Sequence, residues 1–183
     1  MNLPNALTVG RIFLVPLLVV VLLTKFEGRM IMGVSKDLVG AAIFGVASLT
    51  DVLDGYLARR RKQITTLGQV MDPIADKLLI TAAFVSLVQL GLAPAWMVAV
   101  IVGREFAVTV LRSIAYGKGL VIVASPLGKL KMLAEVVAIL ALILGQDHLQ
   151  QFYVVGTIAL WVALLTATIS GIDYYRRFAQ SGL

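Results

Sequence analysis

A chain of 183 residues has the length of one domain, but with 60% hydrophobic and only 14% charged residues it lies far outside the composition of a soluble globular protein. The absence of cysteine excludes disulfides and thiolate chemistry. The net charge of +6 is accounted for by membrane topology and anionic lipid headgroups, so no nucleic-acid partner is expected.

Apolar runs long enough to cross a hydrocarbon core recur along the whole length. The predicted spans are 7–24, 37–58, 73–91, 94–116, 126–146 and 150–173. All six are expected to be helices, because short β-alternation is absent and a backbone in lipid must satisfy its own hydrogen bonds. The first run is too long for a cleavable signal and lacks a small-residue cleavage site, so it is read as a retained helix. Breaks fall at Glu27-Gly28-Arg29, at Arg59 to Lys62, at Leu90 to Pro94, at Gly117-Lys118-Gly119 and at Gly145 to His148. Ser125-Pro126 has the form of an N-cap followed by proline at the first helical position.

An even number of spans puts both termini on one side, together with the second-to-third and fourth-to-fifth loops. That side collects Arg11, the run Arg59-Arg60-Arg61-Lys62, Lys77, Arg104, Arg112, Lys118, Lys129, Lys131, Arg176 and Arg177, and leaves Lys25, Arg29 and Lys36 opposite. The positive-inside rule makes that side the cytoplasm. The expected fold class is therefore an all-α membrane protein of six transmembrane helices, a single domain over 1–183 with both termini cytoplasmic, in the cell (inner or plasma) membrane. His148 reads as a solvated loop residue, and Trp96 and Trp161 as interface or packing aromatics.

Against this sparse charge stand four aspartates. Asp51 and Asp54 are three apart near the end of the second predicted span, and Asp72 and Asp76 four apart at the start of the third, so each pair shares a helical face. If the chain reverses between them, the two faces meet. An aspartate at mid-membrane costs about 2.5–3.5 kcal/mol on insertion scales, so four at full depth would cost on the order of 10 kcal/mol. Two divalent cations would cancel their charge, and oxygen-only ligation points to magnesium, manganese or calcium instead of zinc. The alternative is that the aspartates pair with nearby basic residues or sit in interfacial water. The small residues Gly55, Ala58 and Gly68 leave space for a bulky ligand, although small residues also serve simply to pack membrane helices.

The pattern Asp51-x2-Asp54-Gly55-x2-Ala58-Arg59-x8-Gly68-x3-Asp72-x3-Asp76 resembles the complete signature of the CDP-alcohol phosphatidyltransferases, and the six-span layout is also that family's. The resemblance implies the CDP-alcohol phosphotransferase fold and the transfer of a phosphatidyl group from a CDP-linked lipid to an alcohol, with release of CMP. By position it implies that Asp51, Asp54, Asp72 and Asp76 hold two Mg2+ or Mn2+ ions and that Asp76 is the general base. It further implies that Gly55 and Ala58 admit the cytidine, that Arg59 contacts the CDP phosphates, and that Thr65 and Gly68 border the nucleotide. A homodimer is implied by the resemblance alone.

A phosphorylated acceptor needs an anion site of its own, built from Arg and Lys. Three segments offer one: Asn5-x2-Thr8-x2-Arg11, Gly103-Arg104-Glu105 through Arg112, and Ser125 through Lys129 and Lys131, the last at a helix start whose amides also favour anions. These segments are similar to those of the family members whose acceptor is sn-glycerol 3-phosphate, departing from them at Met132 and Glu135. The expected partners are therefore CDP-diacylglycerol, sn-glycerol 3-phosphate and membrane lipids, with phosphatidylglycerol, serine or inositol phosphate as alternative acceptors. A cation transporter lined by the same aspartates would be expected to show two related halves, and the chain has no such internal symmetry.

Overall fold

The computed structural model describes residues 3–24, 30–31, 33–61, 66–118, 126–146 and 150–180, and within these the side chains of 3–5, 52–61, 66–70, 72, 126 and 150 are not described. Six helices dominate: α1 (Leu3–Leu23), α2 (Lys36–Arg61), α3 (Thr66–Gln89), α4 (Ala95–Gly117), α5 (Pro126–Leu144) and α6 (Gln150–Gln180). Between α1 and α2 lies a feature not expected from the apolar runs, a two-residue antiparallel ladder of β1 (Met30–Ile31) and β2 (Val34–Ser35). Gly33 beside it takes φ 83°, a conformation that glycine adopts without steric cost.

Two helix boundaries differ from the apolar runs in a way that matters. α3 begins at Thr66, ahead of the predicted start at 73, so that Pro73 lies inside the helix. α6 continues to Gln180, past the predicted end at 173, and carries Asp173, Tyr174, Arg176 and Arg177 on helical backbone. In both cases the helix runs on where the sequence turns polar, because backbone hydrogen bonding is indifferent to side-chain hydropathy.

Two stretches, Ala6–Leu23 in α1 and Gln151–Gln180 in α6, are long and apolar enough by themselves to cross a membrane. The other four helices are 19–26 residues long and carry charged residues. All six nevertheless turn large apolar side chains outward: Phe13, Val46, Val85, Val110, Leu133 and Leu165 are each more than half exposed. Meanwhile Arg11, Lys131 and Glu135 are buried, an inversion of the usual soluble pattern.

The core is formed by Leu18 and Leu22 of α1, Phe44 of α2, Leu79, Phe84 and Leu87 of α3, Met97 and Ile101 of α4, Ile139 and Leu142 of α5, and Leu160 of α6. α5 and α6 make the most extensive contact, with α1 against both α2 and α3, and α4 against α6. Small buried residues recur every fourth position, Ala134 and Ala138 on α5 and Ala159, Ala163 and Ala167 on α6, which lets membrane helices approach closely. Gly156 marks a tight part of this seam, since a Cβ there would come within 2.7 Å of the Leu142 side chain and 2.9 Å of its backbone nitrogen. Gly156→Val is accordingly expected to destabilise the protein by about 1–3 kcal/mol, read as a lower unfolding midpoint in detergent. Between α4 and α6, Trp96 and Trp161 meet edge to face with ring centroids 5.9 Å apart.

Candidate active site

The polar residues gather at one end of the bundle, where the early parts of α1, α3 and α5 meet the late parts of α2, α4 and α6. Asp51 from α2 and Asp76 from α3 line the same cavity, of about 400 Å³, together with Ser48 and Lys129. Its remaining walls are apolar, formed by Leu49, Leu133, Val136 and Leu140. Asp54 and Asp72 stand on the helical backbone of α2 and α3, three and four residues from Asp51 and Asp76, and their side chains lie outside the described residues. The same is true of Gly55, Ala58 and Arg59 on α2 and of Gly68 on α3, while Thr65 lies wholly outside the description.

α1 contributes a cation to this end. The Arg11 guanidinium, whose side chain is 0% exposed, forms an ion pair with Asp51. A guanidinium this deeply buried needs such a partner, because desolvation without one would cost several kcal/mol. Thr8, one turn earlier, is also buried. The carboxylates of Asp51 and Asp76, facing one cavity from two helices, are hard oxygen donors of the kind that suit Mg2+ or Mn2+.

A second cavity, of about 240 Å³, lies on the other side of Asp76. Asp76, Ile80, Lys129 and Met132 line both cavities and so form the partition between them. Arg104 and Arg112 of α4 and Lys129 and Lys131 of α5 all line this second space. Four of the residues read as an anion site are thus brought together. Thr8 and Arg11 are not among its lining residues, since Arg11 is turned to Asp51, and the side chain of Asn5 lies outside the described residues.

The basic cavity is not simply positive. Lys131 Nζ lies 2.6 Å from Glu105 and 3.0 Å from Glu135, and Arg104 Nη1 lies 2.5 Å from Glu105. Arg104 also crosses to α6, donating from Nε to the Ala167 carbonyl at 3.1 Å and from Nη2 to Ser170 Oγ at 2.8 Å. Gly171 makes this crossing possible, because a Cβ at that position would press to 3.0 Å against Arg104 Cγ. Such double tethering fixes both cations in place before any ligand arrives. By contrast Arg112 lies over the ring of Tyr174, 5.8 Å from its centroid, and Lys129 is exposed.

α6 supplies residues that the sequence pattern did not single out: Ser170, Asp173, Tyr174 and Arg177 all line the basic cavity. Arg177 was assigned to the topological charge, yet it pairs with Asp173 at 3.0 Å on the cavity wall. The one available signal was the helical spacing of 170, 173, 174 and 177, which places them on one face.

A carboxylate-lined cavity and a basic cavity thus share a wall. A match to the CDP-alcohol phosphatidyltransferase family covers residues 1–169. The chain belongs to the CDP-alcohol phosphatidyltransferase family. Among the curated members, the CDP-diacylglycerol–glycerol-3-phosphate 3-phosphatidyltransferase of Bacillus subtilis (strain 168) is 44% identical, over 96% of this chain and 94% of its own length. That of Rickettsia typhi is 36% identical over 96% of each chain. A probable phosphatidylglycerophosphate synthase of Mycobacterium tuberculosis is 40% identical over 96% of this chain and 81% of its own. The family match ends before Ser170, so the α6 residues of the basic cavity lie beyond it.

Proposed function

We propose that this CDP-alcohol phosphatidyltransferase transfers the phosphatidyl group of CDP-diacylglycerol to sn-glycerol 3-phosphate, giving phosphatidylglycerophosphate and CMP for phospholipid biosynthesis. The observation that carries this reading is the placement of Asp76 on the wall between a carboxylate-lined cavity and a basic one. The names of the relatives support the choice of donor and acceptor.

In this reading the CDP-lipid enters the cavity of Asp51 and Asp76, whose apolar walls suit its diacylglycerol part, and Gly55, Ala58, Arg59, Thr65 and Gly68 surround the nucleotide. The glycerol phosphate occupies the basic cavity with its phosphate held by Arg104, Arg112, Lys129 and Lys131, and Arg11 acts by orienting Asp51. Asp76 takes the proton of the attacking hydroxyl, whose oxygen forms a bond to the β-phosphorus as the bond from that phosphorus to the CMP oxygen breaks. Asp51, Asp54, Asp72 and Asp76 would hold two Mg2+ or Mn2+ ions, which supply charge neutralisation at the phosphoryl oxygens and the departing CMP.

The outward apolar side chains on all six helices support six spans in a cell membrane. With Lys118, Arg176 and Arg177 at the site's end of the bundle, the positive-inside rule puts the active site and both termini on the cytoplasmic side. A homodimer completes the proposal by resemblance to the family.

The test is CMP release from purified protein given CDP-diacylglycerol and one acceptor at a time. Glycerol 3-phosphate is expected to support release that falls to background with a chelator and returns on adding Mg2+ or Mn2+. Release with phosphatidylglycerol, serine or inositol phosphate but not with glycerol 3-phosphate would reassign the acceptor.

A further inference from the structure

Tyr174 is 5% exposed, lines the basic cavity, and its hydroxyl has no hydrogen-bond partner among the described residues. A buried phenolic O–H left unpaired is unfavourable unless something absent from the free protein completes it. Its ring meanwhile carries the guanidinium of Arg112, a cation–π contact that holds Arg112 at the cavity wall. Arg104, Lys131 and Arg177 each face a carboxylate, whereas Arg112 forms no ion pair among the described residues. The unneutralised cation and the unsatisfied donor are therefore stacked on each other.

The cavity has a second incomplete group of opposite character. Glu135, paired with Lys131 through its other oxygen, keeps Oε1 buried without a partner among the described residues. This oxygen can accept a hydrogen bond from a hydroxyl, which a phosphate oxygen without a proton cannot offer. The cavity is thus polarised, with hydroxyl-binding character towards Asp76 and anion-binding character at α6.

We infer that Tyr174 is a binding residue for the acceptor substrate, donating its hydroxyl proton to a phosphate oxygen whose charge is met by Arg112. This rests on the proposed function, and it adds a phosphate contact beyond residue 169, where the family match ends. It also orients the acceptor: the phosphate lies against α6 and the reacting hydroxyl towards Asp76.

Tyr174→Phe tests this cleanly, because it keeps the ring under Arg112 and removes only the O–H. Loss of a hydrogen bond to a charged group is expected to raise the KM for glycerol 3-phosphate about tenfold or more. The turnover number should stay within about two-fold and the KM for CDP-diacylglycerol should not move, the pattern of lost ground-state binding. Inhibition by inorganic phosphate, competitive with the acceptor, should weaken by the same factor. The unfolding midpoint should not fall, since the hydroxyl has no hydrogen bond to lose among the described residues.

An unchanged KM for glycerol 3-phosphate overturns the inference. So does a raised KM with unchanged phosphate inhibition, which would mean that Tyr174 binds a hydroxyl instead. A lowered midpoint with both KM values raised together would make Tyr174 a structural residue and overturn it as well. Failure of the wild-type protein to release CMP with glycerol 3-phosphate, by contrast, would count against the proposed function itself.

Discussion

Asp76→Asn is expected to lower CMP release by about 10²–10⁴-fold, the range typical of a lost general base, while CDP-lipid binding persists. The substitution preserves size but replaces the basic carboxylate by a neutral amide that cannot take up the hydroxyl proton. Asp76 is singled out from Asp51 by position: both line the carboxylate cavity, but only Asp76 also faces the basic one. Asp51 is moreover engaged by Arg11. Turnover and equilibrium binding of CDP-diacylglycerol, measured on the same preparation, separate the base from a purely structural role. Wild-type CMP release from Asp76→Asn would rule out the assignment.

Lys131→Met is expected to act through stability as well as substrate binding. Its ammonium sits between Glu105 and Glu135, and both it and Glu135 are almost wholly buried. Removing the cation leaves two carboxylates with Arg104 as their one compensating partner among the described residues, and breaking a buried pair in this way costs about 3–5 kcal/mol. The double substitution Lys131→Met with Glu135→Leu should recover much of that loss, because replacing both partners by apolar groups removes the uncompensated charge. Activity should not return with it, since the ammonium proposed to bind the phosphate is still missing. The comparison needs unfolding midpoints in detergent and CMP release for the two variants. A single variant as stable as the wild type would refute the account of Lys131 as the clamp of this pair.

What the sequence disclosed and what it concealed follow from different length scales. The six helices were legible because each contains a long apolar run, and Asp51 and Asp76 because four like charges in so apolar a chain demand compensation. The Lys131–Glu135 pair also has a local signature, the spacing of one helical turn. The Lys131–Glu105 pair has none, because it depends on how α5 meets α4. Arg11 was grouped with the phosphate-binding residues on its helical face, yet the packing of α1 on α2 turns it to Asp51. The contribution of α6 was missed because hydropathy fades at 173 while the helix runs to Gln180, carrying Tyr174 and Arg177 to the cavity.

The wall formed by Asp76, Ile80, Lys129 and Met132 has a consequence for the order of events. In the proposed reading each substrate has its own compartment, so neither must leave before the other enters. The phosphatidyl group can pass from donor to acceptor in one displacement, with no stage at which the protein itself carries it covalently. A partition of four side chains thereby makes the enzyme a meeting place for two molecules.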